Sequence, residues 1–213
     1  MPIYMTTDNS RKDQEFADSL AEQLAAHGFT VLIDREDILP GEPWQDRLEN
    51  LIEQSDTVAF VISPDSIASK VCAWEVKMVA SKNKRLAPLV WRDVDNDKIP
   101  DEITSLNYIF YNDPEANEDA LDKLVLALDL DIDWIREHTR LGALAQHWAA
   151  GGAQLRGQDL ENAERWLLGR PKNAPEPTQG HINFIESSRK AARLLQRLIV
   201  LGSVVITVIV VAI

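Results

Sequence analysis

Over the first 130 residues, short apolar runs alternate with segments whose apolar positions recur at helical spacing, and few folds accommodate that alternation. The apolar runs are Ile3 to Thr6, Phe29 to Asp34, Thr57 to Ser63, Leu86 to Trp91 and Tyr108 to Tyr111. Between them, Phe16, Leu20 and Leu24 form one helical stripe, and Trp44, Leu48, Leu51 and Ile52 a second. A third helix is predicted from about Ser69, and Leu121, Leu124, Val125 and Leu128 mark a closing one. Thr57 to Ser63 is apolar almost throughout, as expected for a central parallel strand covered on both faces. Strand and helix in repeated alternation imply an α/β fold: a five-stranded parallel sheet with right-handed crossovers.

Beyond Asp131 the pattern is helical only. Trp134, Leu141 and Trp148 recur at seven-residue spacing, and Leu160, Ala163, Trp166 and Leu167 give a second short helix after Gly151-Gly152. Pro171, Pro175 and Pro177 predict an extended, semi-rigid linker. The expected organisation is an α/β domain over residues 1–130, a helical spacer over 131–170, a Pro-rich linker over 171–180, and a juxtamembrane and transmembrane helix over 181–213. The last part rests on Leu198 to Ile213, sixteen residues without a charge. As a helix they span about 24 Å of a hydrocarbon core about 30 Å thick, and Leu194, Leu195 and a snorkelling Arg197 close the gap. Arg189, Lys190, Arg193 and Arg197 precede the run, which places everything before it in the cytoplasm by the positive-inside rule. A chain ending on this run is either tail-anchored or the front part of a longer one.

Charge and cysteine content narrow the function classes. A net charge of -12 opposes nucleic-acid binding, which needs a surplus of Lys and Arg against phosphate. Between Asp93 and Asp133 stand thirteen acidic and two basic residues, so nearly all of that charge is local, as on a solvated loop and helix face. The single cysteine, Cys72, forbids an intrachain disulfide and fits a reducing compartment. His27, His138, His147 and His181 show no paired metal-ligand spacing, and no metal is expected. Neither a Ser-His-Asp nor a Cys-His pattern is visible.

In open parallel sheets, ligands bind beyond the carboxyl ends of the strands where the strand order reverses. That rule selects Thr7, Asp8, Asn9 and Ser10 after the first strand, and Ser63, Pro64, Asp65 and Ser66 after the third, with Glu75 on the following helix. The loop after the first strand has no glycine, unlike a flavin phosphate loop. A phosphoacceptor domain would need an Asp ending strand three and a Lys after strand five, where Ser63 and Asn112 stand.

Six pieces of the chain, in order and in register, resemble the TIR (Toll/interleukin-1 receptor) domain family in its bacterial form. They are Ser10-Arg11-Lys12-Asp13 before Phe16; Gly28-Phe29-Thr30-Val31; Asp34 followed by Ile38-Leu39-Pro40-Gly41-Glu42; Ser63-Pro64-Asp65-Ser66; Cys72-Ala73-Trp74-Glu75; and Leu106 to Phe110. The resemblance implies a flavodoxin-like domain over about residues 1–130. Asp131 through Arg193 is similar to the segment that follows such domains in membrane-anchored bacterial proteins, with Asp133-Trp134, His138-Thr139-Arg140-Leu141, Leu155-Arg156-Gly157 and Trp166-Leu167. That likeness implies a single-pass protein of the inner (cytoplasmic) membrane.

The same resemblance implies hydrolysis of NAD+ at its nicotinamide-ribose bond, with NAD+ as substrate and no cofactor, and self-association through other TIR domains. The family's catalytic glutamate falls on Glu75. Family site positions fall on Thr7, Asp8, Asn9, Ser10, Arg11, Asp34, Pro40, Gly41, Trp44, Ser63, Cys72 and Trp74. A single carboxylate suits the chemistry, since nicotinamide leaves readily and the developing oxocarbenium ion mainly needs electrostatic stabilisation. Read from spacing alone, Glu75 flanks the Cys72, Val76 and Val79 stripe, which also fits a partly solvated helix carboxylate. Two positions depart from the family pattern: Asp8-Asn9 stands where the first strand usually closes on a Ser-Tyr pair, and Val71 where active members often place a Trp. Both departures suit the alternative function, a membrane scaffold that recruits TIR domains without cleaving NAD+. Val71, Trp74 and Met78 make the Glu75 helix apolar nearly all round, so it is either deeply buried or used in assembly.

Overall fold

The computed structural model describes residues 1–7, 10–34 and 44–211, without the side chains at 96, 114 and 201–211. Strands β1 (Pro2–Thr6), β2 (Thr30–Ile33), β3 (Thr57–Ile62), β4 (Arg85–Val90) and β5 (Ile109–Phe110) form one sheet in the order β2-β1-β3-β4-β5. Every pairing is parallel, and Tyr4 of β1 lies level with both Leu32 of β2 and Val58 of β3. The strand order reverses between β1 and β3, so their carboxyl ends open the crevice in which such sheets bind ligands.

The alternation of side chains along the strands divides the core. On one face, Ile3, Met5, Ala59, Val61 and Leu89 pack with Ala17, Leu20 and Leu24 of α1 (Arg11–Ala26) and with Ala120, Leu124 and Leu128 of α6 (Asn117–Asp129). On the other, Tyr4 and Val58 meet Leu48 and Ile52 of α2 (Trp44–Gln54) and Val79 of α4 (Lys70–Ser81). Phe60 and Ile62 continue that face against Cys72 and Val76 of α4 and Ile103 of α5 (Asp101–Thr104). β3 is buried at all six positions, as its sequence requires. The second apolar side of α4 is half-buried: Val71, Trp74 and Met78 pack, with Trp44 and Leu51 of α2, against the cluster around Leu48 and Ile52.

A short helix, α3 (Pro64–Ala68), precedes α4 and interrupts what the sequence reads as loop. Ser63 starts it with a reciprocal capping box to Ser66, and Pro64 occupies its first turn. At the amino end of β4, two cations close helix carboxyl ends. Lys84 Nζ donates to the carbonyls of Glu53 and Ser55 at 2.8 and 2.9 Å, and Arg85 to those of Ala127, Leu128 and Leu130 at 2.6 to 3.1 Å.

The chain divides into two compact units, residues 1–139 with 171–176, and residues 140–170 with 177–213. In the first, part of the Pro-rich stretch is held in place: the Pro175 carbonyl accepts from Trp134 Nε1 at 3.2 Å and the Glu176 carbonyl from Asn83 Nδ2 at 3.2 Å. The second unit contains the later turns of α7 (Ile132–Ala149), α8 (Gly157–Leu168) and α9 (Gln179–Val211). Trp148 packs on Phe184, Trp166 on His181, and Arg189 Nε pairs with Glu164 at 2.6 Å. Gly142 sits so close to His181 that an added Cβ would lie 3.2 Å from its Nε2. Along α9, Leu194, Leu195, Leu198, Ile199 and Val200 are more than half exposed. Among the described residues no helix is long and apolar enough to cross a membrane, and the apolar side chains from 201 onward lie outside that description.

Candidate active site

The α2 and α4 face of the sheet carries one carboxylate in an apolar setting. Ser69 caps α4 through a bond from Cys72 N, which fixes the first turn and turns Cys72, Glu75, Val76 and Val79 inward. Glu75 is therefore buried, at 3% exposure, rather than partly solvated as its spacing allowed. Its Oε1 accepts a hydrogen bond from the phenol of Tyr4, itself 2% exposed. The apolar positions around Tyr4, at Leu48, Ile52, Val58 and Val79, offer that phenol nothing. A buried phenol needs a hydrogen-bond partner, and a buried carboxylate needs donors, so the two groups satisfy each other across β1 and α4.

Burial pushes the Glu75 carboxyl up to about 8, against the opposing effect of the Tyr4 hydrogen bond and with the help of the nearby Asp34 charge. The phenol of Tyr4 is raised as well, first by burial and then by the Glu75 charge. Asp34, just past β2, is held at 2.9 Å by Arg47 Nη2 of α2. Trp44 and Trp74 meet edge to face with ring centroids 5.1 Å apart. Cys72 lies beneath at 1% exposure. The structure thus brings Asp34, Trp44, Cys72, Trp74 and Glu75 to one side of the sheet, around Tyr4.

A second polar cluster ties the carboxyl ends of β3 and β4 to α1. Asp13, fully buried, accepts from Ser63 Oγ at 2.5 Å and from Arg92 Nη2 at 2.6 Å. Arg92 also donates to Asp65 Oδ2 at 2.5 Å, and that bond, with one from Ser10, holds the Asp65 carboxyl below its ordinary range. Ser10 caps α1 by accepting from Asp13 N at 3.4 Å. The hydroxyls of Ser10 and Ser63 are thus committed to helix starts and to this network. Thr7 is half-buried past β1, whereas Arg11 stands in solvent beside Glu15 at 2.9 Å. Asp8, Asn9, Pro40 and Gly41 lie outside the described residues. Among the described residues no group of three His, Cys, Asp or Glu side chains could hold a metal ion.

Tyr4, Asp13, Arg47 and Arg92 are the residues that sequence reasoning did not place in the site. Asp13 stood within a quoted motif, and Tyr4 carried a signal in its alternation, being a phenol where an inward strand position calls for an apolar side chain. Arg47 and Arg92 carried none, because their partners are 13 and 79 residues away.

Comparison with known proteins agrees with this architecture. A family model described as "TIR domain" matches residues 9–125. The curated "Stimulator of interferon genes protein" of Magallana gigas is 28% identical over 144 residues, which is 65% of this chain but 34% of that protein. The chain thus spans about a third of the length of the curated relative it matches. Among solved structures, the TIR domain of the Toll-related receptor TRR-2 from Hydra magnipapillata superposes with a TM-score of 0.50 at 18% identity, covering 59% of this chain and 96% of that one. A metazoan TIR-STING receptor from C. gigas gives a TM-score of 0.44 at 25% identity over 56% of this chain and 38% of that one.

Proposed function

The chain belongs to the TIR domain family, and from that premise we propose that it hydrolyses NAD+ to nicotinamide and ADP-ribose, or a cyclic form of it, when its TIR domains cluster at a membrane. In the hydrolytic reaction the bond between ribose C1′ and the pyridinium nitrogen breaks and its electron pair neutralises that nitrogen. A carboxylate at Glu75 stabilises the cation developing on the ribose. Water adds at C1′ and releases one proton. The observation that carries this reading is the placement of Glu75, within its Cys72-Ala73-Trp74-Glu75 run, as a buried carboxyl on one side of the sheet with Asp34, Trp44 and Trp74. A carboxyl pushed up to about 8 stands close to the range in which acid and base forms interchange at physiological pH.

Anchoring is part of the same proposal. The uncharged run from Leu198 crosses the inner membrane of a bacterium, holds the TIR domain in the cytoplasm and raises its local concentration, in a defence or stress-signalling role. A second reading has its own support: at 3% exposure, with Oε1 bonded to Tyr4, Glu75 also suits a domain that only recruits other TIR domains. Nicotinamide release by the full chain in lipid nanodiscs, at one copy and at several copies per disc, separates the two. Hydrolysis predicts turnover per copy that rises with crowding and is lost in Glu75→Ala. The scaffold predicts no turnover at any density.

A further inference from the structure

We propose that Tyr4 is a positioning residue, whose buried phenol fixes the Glu75 carboxylate against the first strand and stabilises its charged form. The inference rests on the reading of Glu75 as the reacting carboxylate and deepens it. Tyr4 is centred in the sheet, paired on one side with Leu32 and on the other with Val58, so its backbone cannot shift without breaking two ladders. Its ring is packed by Leu48 and Ile52 of α2 and by Val79 of α4, which leaves the phenol one direction in which to reach a polar atom. In that direction lies Glu75 Oε1.

The charged groups that face the pair leave Tyr4 as the favourable influence. Asp34, from the end of β2, is a like charge that opposes ionisation of Glu75, and its partner Arg47 of α2 is engaged with it at 2.9 Å. Cys72, on α4 itself, adds a further group that opposes charge on the phenol. Burial opposes the Glu75 charge more strongly than any of these. The phenol donates to the carboxylate, and a hydrogen bond to the charged form favours that form. Removing the phenolic oxygen while keeping the ring therefore retains the packing and leaves Glu75 harder to ionise.

The test compares the full chain in lipid nanodiscs with Tyr4→Phe and Glu75→Gln, in two readouts. The first is the pH titration of the Glu75 carboxyl by infrared difference spectroscopy, identified as the carboxyl band absent from Glu75→Gln. The second is the pH profile of nicotinamide release. Tyr4→Phe is expected to move the Glu75 titration upward by about one pH unit and to move the activity profile with it. Turnover at neutral pH then falls roughly tenfold and recovers in more alkaline buffer. An unshifted titration in folded Tyr4→Phe overturns the proposal. A shifted titration in a protein without turnover supports the positioning role while removing the hydrolase reading, so the two failures are distinguishable. Tyrosine 13Cζ NMR tests the same contact without altering Tyr4. One of the three tyrosine signals should move with the Glu75 titration in the wild type and stay fixed in Glu75→Gln. No moving signal in the wild type overturns the proposal even if Tyr4→Phe does not fold.

Discussion

Replacing Glu75 by glutamine should abolish most of the loss of stability that the domain suffers between acid and alkaline pH. In the folded chain burial holds this carboxyl at about 8, against 4.5 for an unperturbed glutamate. Between those values the folded state binds a proton that the unfolded state has released. Stability therefore falls as pH rises through that window, and the loss is complete above about 8. With roughly 1.4 kcal/mol for each pH unit of separation, the loss is on the order of 4 kcal/mol from pH 5 to pH 8.5. A glutamine keeps the shape and accepts the Tyr4 bond through its carbonyl, and it has no proton to lose. Cys72 supplies the assay. It is the single cysteine, 1% exposed, and it lies one turn from Glu75 on the same helix. Pulsed alkylation of Cys72 across a urea series, normalised to the fully unfolded rate at each pH, reports opening of this part of the molecule. Groups shared by both proteins, such as Lys84, which burial lowers to about 8, cancel in the comparison. The two proteins should be closest in stability near pH 5 and diverge by several kcal/mol in favour of Glu75→Gln by pH 8.5. Parallel curves over that range would refute the claim that Glu75 is buried as a high-affinity proton site.

Other expectations follow from single contacts. Asp13→Asn leaves Arg92 facing an uncharged amide and disturbs the Ser63 bond, and should cost about 2–4 kcal/mol by the same alkylation assay. Lys84→Met frees the carbonyls of Glu53 and Ser55 at the end of α2, for a loss of about 1–3 kcal/mol. In the second unit, Gly142→Ala forces a methyl against the His181 ring and should cost about 1 kcal/mol or more, read as faster amide exchange in α8 and α9. Removing residues 198–213 should move the protein from the membrane pellet to the soluble fraction. An unchanged distribution contradicts the anchor.

The sheet was legible because its signals are local. Six consecutive buried positions in β3 and the helical stripes of α1, α2 and α6 are periodicities within short windows. The helix α3 was not legible, because Ser63-Pro64-Asp65-Ser66 reads equally as a turn until the capping box forms. The apolar surround of α4 left two options, deep burial or assembly, and in the structure Trp74 and Met78 are half-buried against the cluster that includes Leu48 and Ile52 of α2. Within the site, the sequence pointed to Glu75 through its motif, yet not to its environment. The Tyr4 contact spans 71 residues, and the burial of Glu75 depends on how far the sheet and α2 enclose α4. Ser10 and Ser63, selected as hydroxyls at the carboxyl ends of strands, have a local structural use that their position in the sequence did not reveal: they start helices and bind Asp13.

The hydrolase reading meets its most direct test in nicotinamide release by densely reconstituted full-length protein beside Glu75→Gln, measured from pH 6 to pH 9. Ionisation of Glu75 as the requirement for catalysis predicts turnover that climbs with pH, reaches half its maximum near 8 and levels off about one unit higher, and is abolished by the glutamine. Turnover that persists in Glu75→Gln, or is absent from the wild type at every pH and density, would contradict it.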